Sequence, residues 1–203
     1  MKPAARSSSR TAPTARPHTV RIIGGRWKRT PLRVADLDGL RPTPDRVRET
    51  LFNWLAHLRP DVERLRGLDL FAGSGALGFE LASRGAAAVT LVERNARALQ
   101  ALEALRTRLA ADSTTILAGD AFARVASLPR GGFDVVFLDP PYGERLLRRS
   151  LQAVLPLLAQ AALVYIEDNE PFDEQGLPDA GFRIVRQDRA GQVNFALLSA
   201  GGD

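Results

Sequence analysis

The segment FDVVFLDPPYGE, residues 133–144, ends an apolar run on a carboxylate, two prolines and an aromatic ring in consecutive positions, Asp139, Pro140, Pro141 and Tyr142. Two prolines fix the backbone and remove two N–H donors, so the corner presents a carboxylate, carbonyl oxygens and one flat ring. An exocyclic amino group on a planar base needs that pairing. Its N–H bonds can point to the Asp139 carboxylate and the Pro140 carbonyl while Tyr142 stacks on the ring. The alternative is a proline-terminated strand with Tyr142 packed in the interior.

A second motif, LDLFAGSGALG at residues 68–78, spaces Gly73, Gly75 and Gly78 as G-x-G-x-x-G between a strand and a helix. Glycines there let the backbone turn sharply and approach a nucleotide closely. Glu93 closes the next strand-like run, AAAVTLVE, 20 residues after Gly73, where a carboxylate can accept both hydroxyl protons of a ribose. Asp120, in AGDAF, follows the third run, with Phe122 as an apolar wall for a ring. Asp is also a favoured helix N-cap, and the two roles can coexist.

These residues need a scaffold that brings strand ends together. Apolar runs at 68–72, 88–93, 114–118, 133–138 and 161–167 alternate with helical stretches at 75–84, 95–110, 121–127 and 144–159, Leu99, Leu102, Leu105 and Leu109 lining one side of the second. That rhythm specifies a parallel sheet covered on both faces. Runs at 182–187 and 192–199 are joined by DRAG, too short for a crossover helix, so they pair antiparallel. Upstream, TVRIIGGRWKRTPLRV alternates apolar and basic residues around Gly24 and Gly25, the pattern of a hairpin with a tight turn. In RPTPDRVRETLFNWLAHL, Thr43 can cap a helix with Val47, Leu51, Trp54, Leu55 and Leu58 on its packed side. Residues 1–18 lack large apolar side chains and read as a disordered basic arm, 19–60 as a hairpin-and-helix extension, and 61–203 as the main domain.

Composition removes several classes. With 203 residues, no cysteine and two histidines, the chain has no disulfide framework, no thiol nucleophile and little material for a metal site. No apolar run reaches the length of a spanning helix, and MKPAARSSSR has no apolar signal core, so a cytoplasmic location is expected. Residues 1–35 carry nine basic side chains and no acidic one, whereas the remainder holds 19 basic and 23 acidic, a distribution that suits a polyanionic partner.

Asp69 to Gly78, Glu93, Asp120 and Asp139 to Tyr142 together resemble the class I S-adenosylmethionine-dependent methyltransferases, and DPPY resembles their amino-methylating branch. With RIIGGRWKRTPL and RPTPDRVRETLFNWL the chain is similar to the bacterial 16S rRNA (guanine(966)-N(2))-methyltransferase family from residue 20 onward. The resemblance implies an α/β, Rossmann-like fold: a mostly parallel seven-stranded sheet with a C-terminal antiparallel hairpin, plus a small N-terminal β-hairpin and helix. It assigns Asp69, Phe71, Gly73, Gly75, Glu93, Arg94, Asp120, Ala121 and Phe122 to S-adenosylmethionine, with Thr43 and Arg46 closing over the cofactor or the base. Asp139, Pro140, Pro141 and Tyr142 become the catalytic loop, and Arg21, Arg26, Lys28, Arg29 and Arg41 grip rRNA phosphates. It further implies a monomer acting without metal on 16S rRNA or an assembling small subunit. Three rivals stand beside it: a DNA adenine-N(6) or cytosine-N(4) methyltransferase, a non-catalytic rRNA-binding assembly factor, and a nucleotide-dependent oxidoreductase, which leaves Asp139 to Tyr142 unexplained.

Overall fold

The computed structural model describes residues 19–33, 43–141, 146–172 and 181–200. The arm at 1–18, Arg41 and Tyr142 lie outside these residues. A short antiparallel pair, β1 (Thr19–Arg21) and β2 (Pro31–Arg33), precedes helix α1 (Asp45–Leu58). Then β3 (Arg66–Asp69), α2 (Ala76–Ser83), β4 (Ala88–Glu93), α3 (Ala96–Leu109), β5 (Thr114–Ala118), α4 (Ala121–Val125), β6 (Phe133–Leu138), α5 (Leu146–Val154) and β7 (Leu158–Asp168) alternate. The described chain closes with β8 (Phe182–Ala190) and β9 (Val193–Ala200).

The seven strands β3 to β9 form one sheet in the order β5-β4-β3-β6-β7-β9-β8, parallel from β5 to β7, with β9 antiparallel to both β7 and β8. This is the α/β arrangement that the resemblance implies. Side chains alternate between two faces because successive Cβ atoms point to opposite sides of a strand. Val135 and Phe137 of β6 join Leu51 and Phe52 of α1, Phe79 of α2 and Leu102 of α3 in one core. Val136 and Leu138 join Ala121 of α4 and Leu151 and Val154 of α5 in the other. Each Val, Leu or Phe among them contributes roughly 1.5–3 kcal/mol on burial. Helices change faces where β3 sits between β4 and β6, and at such a switch a crevice opens outside the carboxyl ends of the strands.

The N-terminal extension packs into the same core as the sheet: Val20, Ile22 and Leu32 bury with α1 and α2. Trp54 packs as expected for a core side chain, stacking on Phe195 with 5.4 Å between ring centroids. Two expectations need correction here. The hairpin has no tight turn at Gly24 and Gly25. Its three-residue strands are joined through residues 22–30, where Ile22 still pairs with Arg29 and Thr30 and the turns fall at 25–30, while the amides of Ile23, Gly24, Arg26 and Trp27 go to α2. Glu80, 0% exposed, accepts from Ile23 N (2.6 Å) and Gly24 N (2.8 Å), while Arg26 N donates to the Ser83 carbonyl (2.7 Å) and Trp27 N to Ser83 Oγ (2.9 Å). Arg48, also 0% exposed, donates from Nη1 to the Arg21 carbonyl (2.8 Å) and from Nη2 to Asp45 Oδ1 (2.6 Å), and lies 4.0 Å from Glu80 Oε2. Hairpin, α1 and α2 are thus tied by buried ions whose partners leave neither charge alone.

Thr43 does not cap α1 either. Pro44 holds the N-cap position with no side-chain bond, and the Thr43 hydroxyl turns to Asp139 instead. Smaller differences are local: α5 stops at Val154 with a short 3-10 turn before β7 opens at Leu158, and the C-terminal turn falls at residues 191–192, since β8 continues through DRA to Ala190. No described helix is long and apolar enough to cross a membrane.

Candidate active site

The loop after β3 takes its shape from glycine. Gly73 and Gly75 have φ of +50° and +75°, in the left-handed region that side chains disfavour. A Cβ on Gly75 would also meet Leu102 Cδ2 at 2.6 Å and Phe79 Cδ2 at 2.7 Å. Gly75 is the N-cap of α2 and offers no side chain to its first amides, so Asp69 supplies one from the strand end: Gly78 N donates to Asp69 Oδ2 at 2.9 Å. Glu93 holds the other side of the loop. Its Oε2 accepts from Gly73 N (2.7 Å), and its Oε1 from Arg94 N (2.8 Å) and Asn95 N (2.7 Å). Asp120, exposed, caps α4 through Oδ1, taking Phe122 N (3.0 Å) and Ala123 N (3.1 Å). Phe71 and Phe122 meet edge to face at 6.4 Å.

Strand register aligns the acidic residues. Asp69 stands opposite Leu91 of β4 and Phe137 of β6, and Phe137 stands opposite Tyr165 of β7. Counting on by two residues along each strand places Glu93, Asp139 and Glu167 at the same edge, one pleat beyond Asp69, on the face covered by α1, α2 and α3. Asp139 is half-buried, Pro140 buried and Pro141 exposed. The Thr43 hydroxyl donates to Asp139 Oδ2 at 3.3 Å. Tyr165 donates its hydroxyl to Glu167 Oε1 at 2.7 Å, both side chains being buried.

This crowding governs the charges. Burial pushes the Asp69 carboxyl up to about 7, against the pull of the Gly78 and Phe71 amides and with a further push from Glu93. Asp139 is raised well above the usual carboxylate range, first by desolvation, then by the negative charges of Glu167 and Asp69, with the Thr43 hydroxyl opposing. Between the ordinary range near 4 and about 7, folded protein therefore holds a proton on Asp69 that the unfolded chain has released, and stability falls as pH rises through that window. Asp69→Asn keeps an acceptor for Gly78 N and removes the penalty. At about pH 8 the variant should be the more stable by roughly 1–4 kcal/mol in thermal denaturation, and near pH 4 the two should converge. Equal stability at both values would contradict the assignment.

The structure brings Thr43, Asp69, Gly73, Gly75, Glu93 and Asp139 to one edge and sets Phe71, Asp120, Ala121 and Phe122 at the same ends of their strands. Arg46 and Arg94 are exposed. Arg21, Arg26, Lys28 and Arg29 are exposed too, but the 22–30 connection docks at the far end of α2, about 12 Å along the helix from its glycine start. Arg26 Nη2 reaches the Ala110 carbonyl, past the last turn of α3. Two participants escaped the sequence reading. Glu167 follows the apolar run LVYI directly, as Glu93 follows its own, and that parallel was the available signal. Arg149, exposed on α5, lies 3.8 Å above the Phe122 ring, a contact made only when the two helices meet. Among the described residues no group of three His, Cys, Asp or Glu is placed to hold a metal ion.

A family model described as Conserved hypothetical protein 95 matches residues 20–199. Ribosomal RNA small subunit methyltransferase D of Escherichia coli K12 is 41% identical over 182 residues, 88% of each chain. The protein of that name in Haemophilus influenzae is 35% identical over 183 residues, 88% of this chain and 92% of its own. A solved structure from Escherichia coli, 38% identical, superposes with a TM-score of 0.77 over 92% of this chain and 100% of that one.

Proposed function

The chain belongs to the ribosomal RNA small subunit methyltransferase D family, and from that membership we propose that it moves a methyl group from S-adenosylmethionine to the exocyclic N(2) of a guanine in 16S rRNA, position 966, leaving S-adenosylhomocysteine. The observation that carries the reading is the position of Asp139: past β6 at the topological switch, level with Glu93 across the glycine bend, with the rigid proline corner behind it.

The residues fit the donor. The bend carries no Cβ at Gly73 or Gly75, and Glu93 Oε2, which accepts from Gly73 N, has a second lone pair for a ribose hydroxyl. Phe71 and Phe122 provide apolar walls for adenine beside Asp120 and Ala121. When bound, the donor supplies a methyl already activated on a sulfonium, which needs no metal. The chain does the remainder. A guanine amino lone pair is delocalised into the ring, so acceptors at Asp139 and Pro140 favour the pyramidal geometry in which it attacks. Thr43 holds the Asp139 carboxylate in place from the start of α1. Tyr142 stacks on a base drawn out of its helix, Arg21, Arg26, Lys28 and Arg29 hold phosphates at a distance from it, and Arg41 adds a further phosphate contact. The chain works as a monomer in the cytoplasm, on 16S rRNA or an assembling small subunit.

The test is transfer of labelled methyl from the donor to small-subunit RNA that lacks the modification, followed by digestion to nucleosides. N(2)-methylguanosine is expected. N(6)-methyladenine or N(4)-methylcytosine, or methyl acceptance by DNA in its place, would overturn the substrate assignment.

A further inference from the structure

Asp69 and Glu167 on β3 and β7, and Asp139 one residue past the end of β6 between them, stand on one face and at one edge of three neighbouring strands, with adjacent strands about 4.8 Å apart. Asp69 and Glu167 are 3% and 2% exposed. Each of the three accepts from a neutral donor: Asp69 from the Gly78 amide, Asp139 from the Thr43 hydroxyl, Glu167 from the Tyr165 hydroxyl. Glu93 adds a fourth carboxylate from β4. From β9, Asn194 is neutral and donates to the Asn169 carbonyl, and Arg48, the buried cation of α1, is held by the Arg21 carbonyl, Asp45 and Glu80. Three carboxylates so placed repel one another when all are ionised. Asp139 is the half-exposed member, in front of the buried Asp69 and Glu167, and desolvation with the charges of those two raises it well above the usual carboxylate range.

We propose that Asp139 is a charge-sensing proton acceptor, with Glu167 as the positioning residue that sets its response: a cation over the glycine bend drives a proton off the cluster, and loss of that cation brings one back. The inference rests on the methyl transfer proposed above and supplies its missing proton. The amine lone pair forms the N–C bond, the C–S pair goes to sulfur, and the nitrogen must then shed one proton. At that moment the neighbouring sulfonium has become a neutral thioether, so the Asp139 carboxylate regains its affinity and takes the proton from nitrogen. One positive charge on sulfur and one negative charge on Asp139 vanish together, and the net charge of the site does not change.

Donor and product differ in that single charge while sharing every other titratable group, which makes the binding measurement selective. Calorimetric titration of the full chain at about pH 7 in phosphate and in Tris, buffers of different ionisation enthalpy, yields the protons exchanged. S-adenosylmethionine should release about one proton more than S-adenosylhomocysteine does, and its affinity should rise with pH relative to that of the product. In Asp139→Asn the difference should disappear. In Glu167→Gln it should shrink, with the pH profile of the affinity moved to lower pH. Equal proton release by both ligands, or a difference that survives in Asp139→Asn, overturns the proposal. Failure of either ligand to bind the parent chain would instead overturn the functional reading beneath it.

Discussion

Asp139→Ala should reduce the single-turnover rate of methyl transfer by about 10²–10⁴-fold while the donor still binds within about tenfold of the parent affinity. The split follows from position: Asp139 lies beyond β6, on the side proposed for the target amine, whereas the glycine bend, Glu93 and the aromatic pair proposed to hold the donor lie across the switch point. Alanine removes an acceptor from the amine and the partner of the Thr43 hydroxyl, but no side chain that shapes the bend. Asp139→Asn keeps the size and part of the acceptor capacity but cannot take a proton, so its rate should remain closer to that of alanine than to that of the parent. Parent-like rates in both variants would remove Asp139 from the chemistry. Equal loss of rate and donor binding would make it part of the cofactor site alone.

The second large effect is expected at the opposite end of α2. Gly25 has φ +71°, and a Cβ there would lie 1.9 Å from the Ser83 carbonyl oxygen and 2.2 Å from its carbon. Both are backbone atoms and cannot swing aside, so Gly25→Ala must lift the connection between β1 and β2 off α2. Left-handed geometry alone costs a side chain about 1–2 kcal/mol. Lifting also breaks the Arg26 N bond to Ser83 and the Trp27 N bond to Ser83 Oγ, about 1 kcal/mol each. The variant should lose roughly 2–4 kcal/mol of stability in denaturant unfolding. Because Arg26, Lys28 and Arg29, the residues proposed to grip RNA, ride on this connection, kcat/KM for the RNA should fall at least about tenfold while affinity for the donor, proposed to bind at the other end of the helix, changes little. A fall in donor affinity as large as that for RNA would show that the connection supports the cofactor site directly.

Much of this molecule is legible in one dimension. The β-α alternation, the glycine spacing after the first strand, Glu93 at the end of the second and the proline corner at 139–141 are local patterns, each fixed by side-chain type at short range. Ends were less readable. The text at residues 144–159 continues a helical pattern that Pro156 and the start of β7 cut short, and the Gly24–Gly25 pair suggests a tight turn although the amides of Ile23 and Gly24 are claimed by Glu80 across 57 and 56 residues of chain. Thr43 carries every local mark of a helix cap, yet a carboxylate 96 residues away wins its hydroxyl.

By itself, then, the order of residues determined the layering of the sheet, the direction of its strands and the acidic and glycine positions that face one edge, because periodicity and turn chemistry act over a few residues. Only tertiary structure decided which of those acids share a face, that Glu167 stands beside Asp139, that Arg48 and Glu80 are buried as partners, and that the basic hairpin sits a helix length away from the glycine bend. Charge, unlike periodicity, has no meaning for a side chain until its neighbours in space are known. Burial raises the proton affinity of an acid, and strand register alone determined how many acids would be buried together.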